Sequence, residues 1–293
     1  MLFEISHFTE YLYAEPVTLG THYLRLRPRE DASQRLHRFR LDLEPRAAGV
    51  SMQLEPDGNV ALVARFAQPT RLLRIHASSR VETHRQNPYD FVITEPGVFV
   101  LPVSYPEELG MVLEPARERV GGPRVAALAE TVAAECGFDT LQFLARLNTH
   151  LFQTLKVVVR PTGTPMDPED CLACAEGACR DLTMVFMSAC RHMGLAARFV
   201  SGYQMTDPNE QEHYMHAWAE VFLPGGGWRA YDPTHGIAVD EHFVPVAASP
   251  LPLLATPVEG AYSPQEVGCT MRVILDVRSS CPLPDAAPAV SPV

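Results

Sequence analysis

The chain has little that would tie it to a membrane or to nucleic acid. Its longest apolar runs fall well short of the ~18 residues that span a bilayer. Its N-terminus lacks the basic head and apolar core of a secretory signal. Acidic residues outnumber basic ones by 35 to 24, which gives a net charge of −11, and Lys156 is the only lysine. We therefore expect a cytoplasmic protein that binds neither nucleic acid nor anionic membranes.

The chain also lacks the cysteine pattern of a disulfide-stabilised domain. Its seven cysteines are an odd number in a long chain without an export signal, so a disulfide framework is not expected. Hydrophobic residues make up 46% and charged residues 20% of the 293, which is an ordinary globular composition. The length predicts about two domains.

The hydrophobic periodicity changes along the chain and predicts an α+β fold. Residues 1–110 carry short apolar or alternating runs between turn signals, the last of them at 91–100, and predict an antiparallel β domain. Helical spacing follows at 123–136, 139–155 and 180–193, and strands return at 197–232 and 269–277. We assign 120–278 to a second domain and predict a disordered, proline-rich tail at 279–293.

A cysteine at the start of a helix is the first candidate for chemistry. After Cys179, apolar residues recur at helical spacing up to the stop at Gly194. A helix N-terminus offers free N–H groups and positive potential, which favour a thiolate and can bind an oxyanion. Asp181 opposes this effect and Arg180 offsets it. A buried structural cysteine is the competing interpretation.

A histidine and an aspartate downstream complete a candidate triad. Residues 215–222 alternate like a strand, and 228–232 form the return strand of a hairpin. If the loop is the three residues 224–226, Asp232 lies diagonal to His216 on the same face; a four-residue loop would separate them. A thiol nucleophile needs a base, and the base needs an orienting carboxylate. Cys179, His216 and Asp232 are therefore predicted to be nucleophile, base and orienting acid.

Three motifs resemble the bacterial transglutaminase-like family. They are Gly177-Ala178-Cys179-Arg180-Asp181, His216-Ala217-Trp218-Ala219-Glu220-Val221 and Gly227-Trp228-Arg229-Ala230-Tyr231-Asp232-Pro233-Thr234. The N-terminal region also looks like the β domain that precedes this core, through Tyr11-Leu12-Tyr13, Leu24-Arg25-Leu26-Arg27-Pro28 and Asn87-Pro88-Tyr89-Asp90. The resemblance implies a papain-like transglutaminase core with the cysteine-bearing helix packed on an antiparallel sheet.

The resemblance also implies acyl transfer through a Cys179 thioester on a peptide or protein amide, with no cofactor and no metal. An amine (transglutamination) or water (deamidation or hydrolysis) would take the acyl group. We expect Trp218, Tyr203 and Arg180 to border the substrate. Arg180 stands where the family usually has glutamine, and His235 stands where asparagine is common. These departures affect the expected substrate preference more than the expected chemistry.

Other interpretations remain open from the sequence. Cys171-x-x-Cys174 has the spacing of zinc ligands, yet no second ligand pair follows. A Cys174–Cys179 disulfide could form on oxidation. The chain could instead be a cysteine peptidase or amidase, or a non-catalytic protein that binds partners through its β domain.

Overall fold

A computed structural model of the chain describes residues 1–205 and 214–280. The predicted tail, apart from Ser279 and Ser280, lies outside the described residues. No helix in the described ranges is long and apolar enough to cross a bilayer.

The described helices are α1 (Glu107–Val112), α2 (Glu114–Arg117), α3 (Pro123–Glu135), α4 (Thr140–Thr154), α5 (Pro168–Cys174) and α6 (Cys179–His192). The described strands are β1 (Leu2–Leu19), β2 (His22–Leu24), β3 (Gln34–Glu44), β4 (Gly49–Leu54), β5 (Val60–Arg65), β6 (Thr70–Thr83), β7 (Lys156–Val157), β8 (Glu176–Gly177), β9 (Ala197–Gln204), β10 (His216–Leu223), β11 (Gly227–Asp232), β12 (Ile237–Ala238), β13 (Phe243–Ser249), β14 (Val258–Glu259), β15 (Tyr262–Ser263) and β16 (Cys269–Ser280). The mixture is α+β, as the sequence predicts.

Two antiparallel sheets form the N-terminal part. One places β6 between β1 and β3, and the other runs β14-β2-β5-β4. Strand β6 shows why they pack: Leu73, Ile75 and Ala77 are buried, whereas Arg74 and His76 between them are partly exposed. This period of two turns one face of the sheet toward a shared apolar core.

The chain returns to the N-terminal sheets after the second domain. Strand β16 pairs with β1 from Cys269 opposite Tyr13 to Ser280 opposite Leu2. Strands β14 and β15 pair with β2 and β1. Residues 258–280 therefore complete the N-terminal sheets, which corrects the assignment of 120–278 to one core and of 279–280 to the tail. Period-two alternation identifies a strand but not a partner more than 250 positions away.

The second part packs α6 against the sheet β12-β11-β10-β9-β13. Residues 181–191 of α6 are buried all round, because α3, α4 and α5 cover the sides that the sheet leaves free. The small residues Ala217 and Ala219 of β10 belong to the same apolar core. Helix α6 is thus the central element, and its first residue is Cys179.

The hairpin β10–β11 has the register that the triad requires. Leu223 pairs with Gly227, so the loop is the three residues 224–226. Gly225 has φ +86°, which a side chain would strain, and an added Cβ would lie 2.2 Å from the Val92 carbonyl oxygen. The predicted strand at 91–100 is wrong: this segment is irregular, with a 3₁₀ turn at Pro96–Val98 and an isolated bridge from Val100 to Asp139. It crosses the hairpin loop, where the Thr94 N–H donates to the Pro224 carbonyl oxygen, instead of joining a sheet.

Candidate active site

The helix N-terminus at Cys179 is held by a buried carboxylate. Ala178 is the N-cap residue and has no side chain that could cap the helix. Asp181, in the first turn and fully buried, accepts a 2.7 Å hydrogen bond from the Ala178 N–H instead. The first N–H groups of a helix have no partner within the helix. This hydrogen bond fixes the backbone that carries Cys179. The negative charge of Asp181 also interacts favourably with the positive end of the helix dipole.

The same carboxylate fixes a loop that precedes the nucleophile in sequence. Arg160 Nη2 donates to both oxygens of Asp181, at 2.6 and 2.8 Å, and the Met166 N–H donates at 2.7 Å. Strand β7, just before this loop, pairs in parallel with β8, just before α6, with Val157 opposite Gly177. Arg160 therefore neutralises the negative charge of Asp181, which would otherwise oppose ionisation of Cys179.

His216 and Asp232 meet at the start of β10 and the end of β11. His216 Nε2 lies 2.8 Å from Asp232 Oδ2, and the second oxygen, Oδ1, accepts a 2.9 Å bond from the Thr234 N–H. Asp232 has no exposed surface and His216 is 8% exposed. Because Nε2 is engaged by Asp232, His216 Nδ1 is the nitrogen left to face a nucleophile.

Cys179 and His216 lie close enough to shift each other's pKa. Burial opposes ionisation of the Cys179 thiol, but His216, the Ala217 N–H and Arg180 together bring the pKa of the thiol below its ordinary value. Burial also opposes the His216 cation, yet the Asp232 carboxylate and Cys179 raise the pKa of His216 to about 10. Burial disfavours the Asp232 carboxylate as well, and His216 and His235 hold its pKa far below the ordinary range. The arrangement favours a thiolate on Cys179 and an imidazolium on His216.

A second histidine, which the predicted triad does not include, also contacts Asp232. His235 Nδ1 lies 2.7 Å from Asp232 Oδ2, the oxygen that His216 also uses. The two imidazole centroids are 5.3 Å apart. The signal in the sequence was the position of His235 directly after Asp-Pro-Thr, three residues beyond Asp232. One ligand atom from each of these three residues lies within 4.8 Å of the others, but the short N···O distances are those of hydrogen bonds.

The three predicted substrate-binding residues occupy different environments. Trp218 is 1% exposed, packs edge-on against Phe243 and has a buried indole N–H without a partner among the described residues. Tyr203 is also 1% exposed, and its hydroxyl lies 3.0 Å from His7 of β1. Only Arg180, half-buried beside Cys179, retains contact with solvent. Trp218 and Tyr203 are therefore buried side chains, and their contact with substrate stays a prediction.

The thiols of Cys171 and Cys174 turn toward a backbone oxygen. Their Sγ atoms lie 3.6 and 3.2 Å from the Glu176 carbonyl oxygen, with Cys171 buried and Cys174 exposed. All six cysteines of the described ranges are free thiols. Within those ranges these two cysteines join no group of three metal-ligating side chains. Cys171 belongs to the apolar core, and its burial raises the pKa of the thiol to about 12.

A cysteine on a buried helix, joined to a histidine and an aspartate of the adjacent sheet, is the arrangement of the papain-like fold class. Comparison with solved structures agrees: a Cytophaga hutchinsonii protein, assigned provisionally as a cysteine protease, superposes with a TM-score of 0.72 at 16% identity. The superposition covers 97% of this chain and 93% of that one.

Comparison with protein families extends the assignment. Residues 3–82 match the bacterial transglutaminase-like N-terminal region, and residues 126–233 match the transglutaminase-like superfamily. The chain belongs to the bacterial transglutaminase-like family. An uncharacterised protein of Mycobacterium leprae is 26% identical over 264 residues, covering 88% of this chain and 92% of that protein. A protein-glutamine gamma-glutamyltransferase of Pseudomonas aeruginosa is 28% identical over 127 residues, 40% of this chain and 19% of that protein.

Proposed function

We propose that the chain is a cysteine-dependent acyltransferase that acts on a side-chain or backbone amide of a peptide or protein. The observation that carries the proposal is the hydrogen-bonded pair His216–Asp232 beside Cys179 at the start of α6, where the pKa of the thiol is lowered and that of the imidazole is raised. The Pseudomonas relative, named a protein-glutamine gamma-glutamyltransferase, supports a glutamine amide as the first substrate to try.

The residues would divide the first half of the reaction as follows. The Cys179 thiolate attacks the amide carbonyl carbon, and the carbonyl electron pair moves to oxygen. The free N–H groups at the start of α6 stabilise that oxyanion. His216, already protonated, gives its proton to the leaving nitrogen, so ammonia or an amine departs and a thioester remains. Asp232 keeps the imidazolium oriented and charged until that transfer.

The second half returns the enzyme to its starting state. Neutral His216 takes a proton from an incoming amine or water, whose nitrogen or oxygen attacks the thioester carbon. The carbon–sulfur bond breaks, Cys179 leaves as the thiolate, and His216 is again the imidazolium. An amine acceptor gives transamidation and water gives deamidation or hydrolysis. Because the same residues serve both outcomes, peptidase or amidase activity is the second candidate, and the overall fold of the Cytophaga protein is compatible with it.

The test offers a glutamine-containing peptide with and without a fluorescent primary amine. We expect ammonia release, amine incorporation and, after acid quenching, an intact mass increased by the peptide less ammonia at Cys179. New peptide amino termini in place of ammonia would assign hydrolysis instead. Cys179→Ala should abolish all signals, whereas Cys174→Ala, which removes an exposed neighbouring thiol, should retain them. Equal turnover by Cys179→Ala and the wild type would overturn the proposal.

A further inference from the structure

The side chain that follows the nucleophile carries a positive charge without an anionic partner. Arg180 Nη1 donates to the Arg160 carbonyl oxygen at 2.7 Å, and Nη2 donates to the Thr162 carbonyl oxygen at 2.5 Å. Its Nε is buried and has no partner among the described residues. Among the described residues, Arg180 forms no ion pair with a carboxylate; the Asp181 carboxylate pairs with Arg160 instead. Carbonyl oxygens orient the guanidinium but leave its net charge in place.

The carboxylate of the next residue, Asp181, already binds other groups. Asp181 is fully buried and receives Arg160 together with the N–H groups of Met166 and Ala178. The charges of Arg160 and Asp181 cancel each other. The positive charge of Arg180, next to Cys179 in the chain, is therefore left uncompensated. That charge is felt at the nucleophile, since Arg180 is among the groups that favour the Cys179 thiolate.

This local charge contrasts with the rest of the molecule. The chain as a whole carries −11, so its distant field repels anions. At physiological ionic strength the screening length is about 8 Å, so groups bound in the site respond mainly to neighbouring charges. An anionic group next to the reacting amide would therefore respond mainly to Arg180 and the other charges that border Cys179.

We infer that Arg180 makes the site selective for acyl donors that carry a carboxylate close to the reacting amide, such as a glutamine flanked by acidic residues. The inference rests on the proposed function for its substrate, but the charge at Cys179 is measurable without turnover. Because the family usually has glutamine at this position, the uncharged variant Arg180→Gln is the natural comparison. Arg180→Lys keeps the charge while changing the geometry of the two carbonyl contacts.

The first experiment compares alkylation of Cys179 by iodoacetate, an anion, and by iodoacetamide, its neutral analogue. Both reagents need the same thiolate, so their rate ratio cancels any change in ionisation and reports the local charge. Exposed Cys174 in the same chain supplies the reference ratio. In the wild type, the iodoacetate-to-iodoacetamide ratio should be higher at Cys179 than at Cys174. Arg180→Gln should lower the Cys179 ratio roughly five-fold, as expected for one unit charge several ångström away.

The controls separate charge from loop structure. If Arg180 only anchored residues 160–162, Arg180→Gln would slow both reagents equally and leave their ratio unchanged, which would overturn the inference. Arg180→Lys should keep most of the wild-type ratio. Arg272→Gln, which removes an exposed arginine from β16, should leave it unaltered.

The second experiment tests selectivity in turnover. Two glutamine peptides that differ only in Asp or Lys next to the glutamine are compared by kcat/KM in the wild type and in Arg180→Gln. The wild type should prefer the Asp peptide, and the preference should fall about five-fold in the variant. Absence of turnover with either peptide would count against the proposed function, while the alkylation ratio would still decide the role of Arg180.

Discussion

Asp232 and His235 are joined by a 2.7 Å hydrogen bond from Nδ1 to Oδ2, and this oxygen also receives His216. The carboxylate is thus held by two imidazoles and by the Thr234 N–H on its other oxygen. Asp232 cannot rotate without losing one of these partners. The orientation of His216 toward Cys179 therefore depends on a residue outside the triad.

Replacing His235 should reveal that dependence. His235→Ala removes a donor to a charged acceptor, and we expect kcat/KM to fall about 10-fold, the low end for such bonds because His235 is 45% exposed and water can partly replace it. His235→Asn retains a donor and should stay within roughly three-fold of the wild type. His242→Ala is the matched control, since His242 makes a similar 2.8 Å contact to Asp240 on the surface. Equal effects of the two alanine variants would contradict the assignment.

For catalytic activity, the charge of Asp232 should matter more than the shape of its side chain. Asp232→Asn keeps the size of the side chain but removes the anion that raises the pKa of His216. We expect a fall of roughly 10²–10⁴ in kcat/KM. The pH at which Cys179 becomes half ionised, followed by alkylation rate, should also rise. Asp240→Asn serves as the control, and an unchanged alkylation profile in Asp232→Asn would exclude the proposed electrostatic role.

The ion pair between Asp232 and His216 should stabilise the fold within a defined pH window. The lowered pKa of Asp232 gives stability that is present above its unfolded value, about 3.9, and is lost as pH falls through the folded value. The raised pKa of His216 gives stability that is complete below about 6.5 and is lost as pH rises through about 10. The free energy of unfolding of the wild type should exceed that of Asp232→Asn by about 3 kcal/mol between pH 4 and 6.5. Urea titrations should show this difference shrinking toward pH 10; a constant difference would contradict the pair.

Asp181 should contribute to stability rather than directly to chemistry. Asp181→Ala removes the acceptor for two backbone N–H groups and for Arg160, and we expect a loss of about 2–4 kcal/mol in the free energy of unfolding. Asp276→Ala, which removes an exposed partner of Arg278, should cost less than about 1 kcal/mol. Similar urea midpoints for the two variants would show that the Asp181 network is dispensable.

The sequence predicts that His216 and Asp232 lie close together, because their geometry is local to one hairpin. The hairpin loop 224–226 fixes the register of His216 and Asp232, and one helix start fixes Cys179. The role of Arg160 is not predictable in the same way, because one arginine among 23 has no local pattern that names a partner 21 residues later. The return of residues 258–280 to the N-terminal sheets is not predictable for a similar reason. Alternation identifies the buried face of a strand but not the strand with which it pairs.

The most direct test of the central claim is selective alkylation of Cys179. Limiting iodoacetamide would be applied from about pH 5 to 8, and the modified cysteine mapped by mass spectrometry in the wild type, His216→Ala and Cys179→Ala. Because the pKa of Cys179 is lowered, we expect it to be labelled ahead of the other six thiols at acid pH. His216→Ala should remove that preference by raising the pKa of the thiol. Labelling of Cys179 no faster than that of exposed Cys174 would contradict an activated nucleophile.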